Sequence, residues 1–167
     1  MTGFPTGRWS PLLVGDQWPD DRELQVLQRG KMNRGNVRTN FTHLAEMLRD
    51  ARMRQLSQQQ GRTADDLRGT YNQGEKYARR VVEKNRIKEK SYDTAYDSMI
   101  SLQHDLANLA VEGNAEIEQI RASKEPEGAK VSRIISLIRQ YRALANIAAA
   151  KYASNLLDAM QQILDAD

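Results

Sequence analysis

The chain has 167 residues, of which 40% are hydrophobic and 28% are charged, with a formal net charge of +3. This composition excludes an intrinsically disordered chain and suits one folded domain. The sequence contains no cysteine, which excludes disulfides, a thiolate nucleophile and cysteine-based zinc sites. It also lacks an apolar run of about 18 residues, the length that a membrane-spanning helix requires.

The charged residues are unevenly distributed along the chain. Residues 29–61 carry seven basic and two acidic side chains, and residues 62–92 carry nine and five. Residues 93–128 carry two basic and eight acidic side chains. A chain that folds back on itself can pair these regions. Nucleic-acid binding by the basic stretch is the competing interpretation. Against it stand the alternation of its basic residues with glutamates and the lack of regular aromatic interleaving.

The first predicted element is an extended N-terminal arm over residues 1–19. These residues hold three of the four prolines and three of the ten glycines, which disfavour regular secondary structure. Trp9 and Trp18 are candidate anchors and candidate interaction residues within the arm. The arm has no basic segment followed by an apolar one, so any export would proceed without a cleaved Sec signal peptide.

Helix one is predicted over residues 20–57. Asp20 or Asp21 can cap its start, and apolar residues then recur at steps of three and four, which places them on one face. Gly30 and Gly35 each cost about 1 kcal/mol relative to alanine inside a helix. A kink or a break is therefore expected near these two glycines.

A tight turn should join helix one to helix two. Gly61 fits a left-handed cap at the end of helix one, and Thr63 fits the N-cap of helix two with Asp66 three residues later. Such a short turn predicts that the two helices are antiparallel.

Helix two is predicted over residues 63–122 and is the longest element. Apolar or small residues recur along it with heptad spacing, typical of a coiled coil, and the pattern falters only at Asn85 and Lys88. This falter predicts a bend or the place where a partner helix ends.

Three tyrosines of helix two, Tyr77, Tyr92 and Tyr96, are candidate interaction residues. Tyrosine is amphipathic and suits helix–helix interfaces. The alternative is that these rings fill the helical seam where small residues leave space.

Pro126 and Gly128 mark a second turn, and helix three is predicted over residues 129–165. Apolar residues line one of its faces, and an alanine-rich segment allows another helix to approach closely. The predicted fold is all-α: an elongated antiparallel helical hairpin with a third long helix packed on it. Residues 20–167 are expected to form a single helical-bundle domain.

No catalytic or metal-binding motif stands out. The only histidines are His43 and His104, and His104 lacks the Glu-x-x-His spacing of carboxylate-bridged metal sites. The sequence has no glycine-rich phosphate loop and no Gly-x-Ser-x-Gly motif. We therefore expect a protein that is not an enzyme, has no cofactor and works by binding other proteins.

Tyr71 and Glu75 form a Tyr-x-x-x-Glu pair near the start of helix two. Residues four apart share one face of a helix. The pair is either an address that another protein reads or a packing pair, with Tyr71 in the core and Glu75 at its exposed edge.

Helix one, the glycine-containing turn and helix two, without cysteine or a Sec signal, resemble the helical hairpins of type VII (ESX) secretion-associated proteins, in particular the Esp-type members. The resemblance covers roughly Leu13 to Ile120 and includes the Gly-x-x-Trp stretch Gly15–Trp18, which acidic residues follow. The Trp-x-Gly turn of the family is replaced here by Gln59-Gln60-Gly61.

The resemblance implies that Tyr71 and Glu75 are a candidate secretion signal, although the signal of small family members follows their second helix. It implies a secreted substrate or secretion-associated factor, cytoplasmic before export. Protein partners, a second copy among the candidates, would bind along helix two. A coiled-coil scaffold of a phage or cell envelope is the alternative function, and a nucleic-acid-binding helical protein is a further one.

Overall fold

The computed structural model of the protein describes residues 3–166. Its helices, in chain order, are α1 (Ser10–Val14), α2 (Asp21–Asp50), α3 (Arg62–Ala122) and α4 (Glu127–Asp165). A 3-10 turn, Gly15–Gln17, follows α1, and a π-helical turn, Ala51–Gln55, continues α2. Residues 3–166 contain no strand. The predicted all-α class with three long helices is confirmed.

The N-terminal segment folds into helical turns, in contrast to the extended arm predicted over residues 1–19. Ser10–Val14 forms α1, with Pro11 in its first turn, where the fixed φ of proline suits a helix and its missing N–H is not needed. Leu13 and Val14 are completely buried. Their burial outweighs the proline and glycine content that favours an extended arm. The first two residues of the predicted arm lie outside the described residues.

α2 begins at a reciprocal cap. The Glu23 amide donates to Asp20 Oδ1 at 2.9 Å, and the Asp20 amide donates to Glu23 Oε2 at 3.2 Å. These two bonds satisfy N–H groups that would otherwise have no partner at the start of the helix. Of the two predicted caps, Asp20 takes the role, and Asp21 is the first residue of the helix.

Of the kink or break predicted near Gly30 and Gly35, the break is absent, because α2 continues through both residues. A Cβ atom at Gly30 would lie 2.4 Å from Cε1 of Tyr92, and one at Gly35 would lie 3.2 Å from a carboxylate oxygen of Glu89. Gly30 therefore allows close approach of α2 and α3. This packing offsets the low helix propensity of glycine.

The connection between α2 and α3 turns at Gly61, whose φ of +106° lies in the left-handed region that favours glycine. The π-helical turn already ends at Gln55, with Leu56 as its C-cap, so Gly61 does not cap the first helix directly. The Gly61 carbonyl accepts a hydrogen bond from the Asp65 amide at 3.1 Å, and α3 begins at Arg62. Thr63 is therefore within the first turn of α3 rather than at its predicted N-cap.

Contacts group the described residues into two compact units. The first unit comprises the residues up to Val26 together with Thr94–Asp158, and the second comprises Leu27–Asp93 together with the residues from Ala159 onward. A single bundle over residues 20–167, beginning after the arm, is predicted from the sequence. The observed grouping instead makes the N-terminal turns part of the first unit.

The first unit has an apolar core between α1, α3 and α4. Two clusters of buried side chains form it: Val14, Leu102, Leu106, Ala110 and Ala145 in one, and Leu13, Ile117 and Tyr141 in the other. The Tyr141 hydroxyl donates to Glu116 at 2.6 Å. The Tyr152 hydroxyl donates to Asp105 at 2.7 Å. Residue numbers rise along α4 as they fall along α3, so these two helices are antiparallel.

The second unit is built on the hairpin of α2 and α3. Small side chains lie at its contact surface, including the buried Ala45 and Ala78. Three ion pairs join the helices: Lys31–Asp93 at 2.5 Å, Arg38–Glu89 at 2.8 Å and Arg52–Glu75 at 3.0 Å. From one pair to the next, the residue number rises along α2 and its π-helical turn and falls along α3. This order confirms the predicted antiparallel hairpin.

Candidate functional site

The candidate signal pair lies on α3 inside the second unit. Tyr71 is half-buried, and the Glu75 side chain is only 10% exposed. Arg52 of the π-helical turn donates to Glu75 Oε2 at 3.0 Å, and Arg79 donates from Nε to Glu75 Oε1 at 3.0 Å. The packing interpretation placed Glu75 at an exposed edge, and this placement is wrong. The carboxylate is instead held between two guanidinium groups.

The charge of Glu75 is stabilised by these neighbours. The hydrogen bond from Arg79 lowers the pKa of the Glu75 carboxyl below its usual value, as does the bond from Arg52, and both oppose the effect of burial. The carboxylate is therefore ionised at neutral pH. A partner protein that reads this carboxylate has to compete with an ion pair that the fold already makes.

Two arginines that the sequence analysis did not single out shape this end of the hairpin. Arg52 lies in the π-helical turn, and its buried Nε has no hydrogen-bond partner. Arg68 of α3 donates to the backbone carbonyls of Leu56 at 2.7 Å and of Gln59. These carbonyls follow the end of a helix and lack helical donors. The i, i+4 spacing of Glu75 and Arg79 was the available sequence signal. Arg68 has a similar i, i+3 spacing with Asp65, to which it is paired, but no local pattern marks Arg52.

Both tryptophans make contacts within the first unit, to which they belong. The Trp9 backbone N–H donates to Asn114 Oδ1 at 3.0 Å, and its indole N–H donates to Glu118 at 3.2 Å. Trp18 packs on the cluster that contains Leu106. It also meets the Phe4 ring edge-on at 5.6 Å between centroids. Their predicted role in binding a partner stays a prediction.

The three candidate tyrosines have different surroundings. Tyr92 is half-buried, with its ring against Gly30. Tyr96 is also half-buried. Tyr77 is 56% exposed and meets the Phe41 ring edge-on, with 6.4 Å between centroids. Of the three, Tyr77 offers the largest exposed fraction to a partner.

Both histidine side chains are exposed. His43 lies 3.8 Å from Glu46, and His104 lies 3.8 Å from Asp105. No group of three His, Cys, Asp or Glu side chains among residues 3–166 is arranged to hold a metal ion. In the same part of the chain, no helix has both the length and the apolar character needed to cross a membrane.

Basic residues of the stretch 29–92 form ion pairs with acids of the α2–α3 hairpin. Across the hairpin, Arg38 pairs with Glu89, and within α3 Arg86 pairs with Glu83 at 2.6 Å. The basic residues Lys31, Arg38 and Arg52 pair with acids of α3 in the second unit. Of these acids, only Asp93 belongs to the acidic stretch 93–128. This use of the basic residues in the fold reduces the positive charge available to nucleic acid.

The chain is similar in sequence to a mycobacterial protein. It is 33% identical over 170 aligned residues to the uncharacterized protein Rv2082 of Mycobacterium tuberculosis. The alignment covers 97% of this chain and 22% of the relative, so the chain spans about a fifth of the relative's length. No protein-family model and no solved structure matches the chain.

Proposed function

We propose that the protein is a non-enzymatic factor of a type VII (ESX) secretion pathway, either exported as a substrate or associated with export, and that it acts by binding another protein. The observation that carries this proposal is the antiparallel hairpin of α2 and α3, closed at Gly61, with Tyr71 and Glu75 one turn apart near its tip. Similarity to a Mycobacterium tuberculosis protein supports it, because the hairpin resemblance is to mycobacterial and related actinobacterial secretion proteins.

The proposal gives Glu75 a second role beside its ion pairs. In the folded protein Glu75 joins α3 to Arg52 at the end of α2. Tyr71 is half-buried on the same face. Recognition by an export component would require at least part of the Arg52 contact to open, so the address is read together with the fold of the hairpin tip.

Export of Glu75→Gln from a mycobacterium with a functional type VII system tests the role of the carboxylate. Glu89→Gln is the matched control, because Glu89 also lies on α3 and accepts from an α2 arginine, Arg38, at 2.8 Å. We expect Glu75→Gln to lose export and Glu89→Gln to keep it, although each loses one interhelical ion pair. Thermal melting of both purified variants checks that their stabilities are comparable.

Two results would contradict the proposed signal. One is full export of Glu75→Gln with normal accumulation in cells. The other is equal loss of export in both variants in proportion to their loss of stability. In that case the ion pairs matter only for folding.

A scaffold that assembles from copies of itself is the second candidate function. Exposed aliphatic side chains of α4 favour it, and Ile147, Leu157 and Leu164 are each more than 60% exposed. Such side chains favour contact with other apolar surfaces. Sedimentation velocity over a range of concentrations distinguishes the two, because a scaffold forms large assemblies without any secretion component.

A further inference from the structure

A cleft lies at the tip of the hairpin in the second unit, between the π-helical turn and the first turns of α3. Its volume is about 440 Å³, and six residues line it: Arg52, Met53, Ser57, Arg68, Gly69 and Asn72. Two of these residues are arginines, and none of the six is an acid. A Cβ atom at Gly69 would have no neighbouring atom within 4 Å, so the cleft is open at this point. The cleft therefore combines positive charge with space for a small ligand.

The hairpin tip around the cleft has an excess of positive charge. Residues 49–80 contain eight lysines and arginines and four aspartates and glutamates, which gives a formal net charge of +4. Arg52 and Arg79 both donate to a single carboxylate, that of Glu75. Such an excess of positive charge raises the local concentration of anions.

The two arginines of the cleft are held in different ways. Arg68 donates from Nε and Nη2 to the Leu56 carbonyl, and from Nη2 also to the Gln59 carbonyl. Arg52 donates from Nη2 to Glu75 at 3.0 Å, but its buried Nε has no hydrogen-bond partner. A buried N–H group without an acceptor costs free energy, which an acceptor would recover. Arg68 therefore fixes the shape of the cleft, whereas Arg52 has a donor to offer.

Asn72 provides a donor on the α3 side of the cleft. Its side chain is half-buried, lines the cleft and carries two amide N–H bonds. The Nε and Nη2 groups of Arg52 lie in one plane and match two oxygens of a carboxylate or a phosphate. A further donor from another element suits an anion whose oxygens do not all lie in one plane. Phosphate meets this condition and carboxylate does not.

We propose that the cleft binds a phosphate group, which accepts from Nε and Nη2 of Arg52 and from the Asn72 amide, beside the positive charge of Arg68. Nη2 is the Arg52 donor that holds Glu75, and Nε is covered in that arrangement. The guanidinium therefore has to turn from Glu75 toward the cleft to bind phosphate through both groups. Phosphate and Glu75 compete for Arg52.

This competition has a consequence for the candidate signal. With phosphate bound, Glu75 keeps its hydrogen bond from Arg79 and loses the one from Arg52. Recognition of Glu75 requires the same Arg52 contact to open, so a phosphate group at the tip would favour recognition. This consequence rests on the proposed function, whereas the binding of phosphate does not.

The phosphate group has two possible sources. A free phosphate ion occupies only part of a cleft of about 440 Å³. A phosphate ester of a small molecule would place its organic part against Met53, which lines the cleft and is exposed. Both sources present the same group to Arg52, and the experiment separates them.

The test uses the full 167-residue protein, isotopically labelled for NMR spectroscopy and titrated with sodium phosphate at constant ionic strength. We expect saturable shifts of the Arg52 Nε–H and Asn72 amide signals, with a dissociation constant of about 1 mM or below. Sodium acetate should bind at least about tenfold more weakly. Phenyl phosphate represents the esters. Tighter binding of phenyl phosphate than of phosphate supports an ester, and equal or weaker binding supports the free ion.

Arg52→Gln and Arg80→Gln form the matched pair of variants, because each removes one positive charge. Arg80 is exposed on α3 and does not line the cleft. Arg52→Gln should weaken phosphate binding by at least about tenfold, and Arg80→Gln by less than about twofold. Gly69→Leu keeps every charge and places a side chain in the cleft, so it should also weaken binding by at least about tenfold. It serves as the second variant if Arg52→Gln does not fold.

The competition is tested separately with Glu75→Gln. A neutral acceptor competes less strongly for Arg52, so this variant should bind phosphate at least about threefold more tightly than the natural protein. Glu89→Gln, which pairs with Arg38 instead, should change the affinity by less than about twofold. Unchanged phosphate affinity in Glu75→Gln would overturn the competition.

Three results would overturn the phosphate site: no saturable shift of the cleft signals, equal affinities for phosphate and acetate, or equal effects of Arg52→Gln and Arg80→Gln. Export in the Glu75→Gln assay is a separate readout. Loss of the type VII proposal therefore leaves the phosphate result standing, and loss of phosphate binding leaves the export result standing.

Discussion

Different kinds of contact hold the helices together in the two units. In the first, large side chains such as Leu106 and Ile117 are completely buried between helices. In the second, small residues and glycines bring α2 and α3 close together, and ion pairs such as Arg38–Glu89 join their edges. Similar heptad spacing thus supports an apolar core in one place and a close, partly polar contact in another.

Removing a large buried side chain from the first unit should cause the largest loss of stability. Leu106→Ala deletes atoms from a completely buried position of the first unit, and we expect it to lower the free energy of unfolding by about 2–5 kcal/mol. Leu48→Ala, at a half-buried position of the second unit, should cost less. Urea denaturation measures both. Equal losses would show that the two units do not differ in the way described.

Adding a methyl group should affect the second unit next most strongly. In Gly30→Ala the new Cβ atom meets the Tyr92 ring at 2.4 Å, and we expect a loss of about 1–3 kcal/mol. Gly69→Ala is the control, because no atom lies within 4 Å of its Cβ position, and this helical site should gain about 0.5–1 kcal/mol. Thermal melting compares them. A stabilised Gly30→Ala protein would rule out the close contact.

The turn of the second unit should be moderately sensitive. Gly61 has a φ of +106° but open space around its Cβ position, so the cost of Gly61→Val is conformational and should be about 1 kcal/mol or more. Gly61→Asn should be milder, because asparagine tolerates positive φ better. The prediction fails if both variants melt at the same temperature as the natural protein.

The smallest effect on stability near neutral pH comes from two titrating groups, Tyr141 in the first unit and Glu75 in the second. They should titrate at opposite ends of the pH range. Burial and the hydrogen bond to Glu116 raise the pKa of Tyr141 to about 12. Its contribution to stability is complete below about pH 10, the value for unfolded tyrosine, and is lost as the pH rises toward 12. The pKa of Glu75 is lowered, so the sign is opposite. Its contribution to stability is complete above the pKa of an ordinary carboxyl and is lost as the pH falls below that pKa.

Unfolding measured as a function of pH checks both directions. Tyr141→Phe should remove part of the alkaline loss and leave the acid response unchanged. Glu75→Gln should remove part of the acid loss and leave the alkaline response unchanged. An alkaline response that survives unchanged in Tyr141→Phe would assign it to another group, such as Tyr152, whose pKa is also raised by its bond to Asp105.

The three- and four-residue spacing of apolar side chains was sufficient to predict the three long helices, and the short turn at Gly61 to predict that the first two are antiparallel. It could not predict which neighbour covers each position. Leu67 and Ala78 both belong to the heptad pattern of helix two, yet Leu67 is 39% exposed and Ala78 is completely buried. Side-chain spacing does not reveal where a facing helix begins or ends.

The errors in the candidate site have a related cause. Glu75 appeared to be at an exposed edge because its partner Arg52 is 23 residues away in sequence and comes from a π-helical turn. The extended arm and the break at Gly30 were predicted from local propensity. Contacts formed with distant residues, through Leu13 in the one case and Tyr92 in the other, outweigh that propensity.

The π-helical turn Ala51–Gln55 has a consequence for length changes in the chain. A π-turn accommodates one more residue than the corresponding α-helical turn, so the side chains that follow are rotated by about 100° relative to an uninterrupted α-helix. Leu56, directly after it, is buried in this rotated position. Conversion of this turn to regular α-helix at unchanged length would turn Leu56 away from its buried position, whereas deleting a single residue here would restore the α-helix and leave Leu56 in place. At this end of the hairpin, the backbone is thus set by the number of residues as much as by their identity.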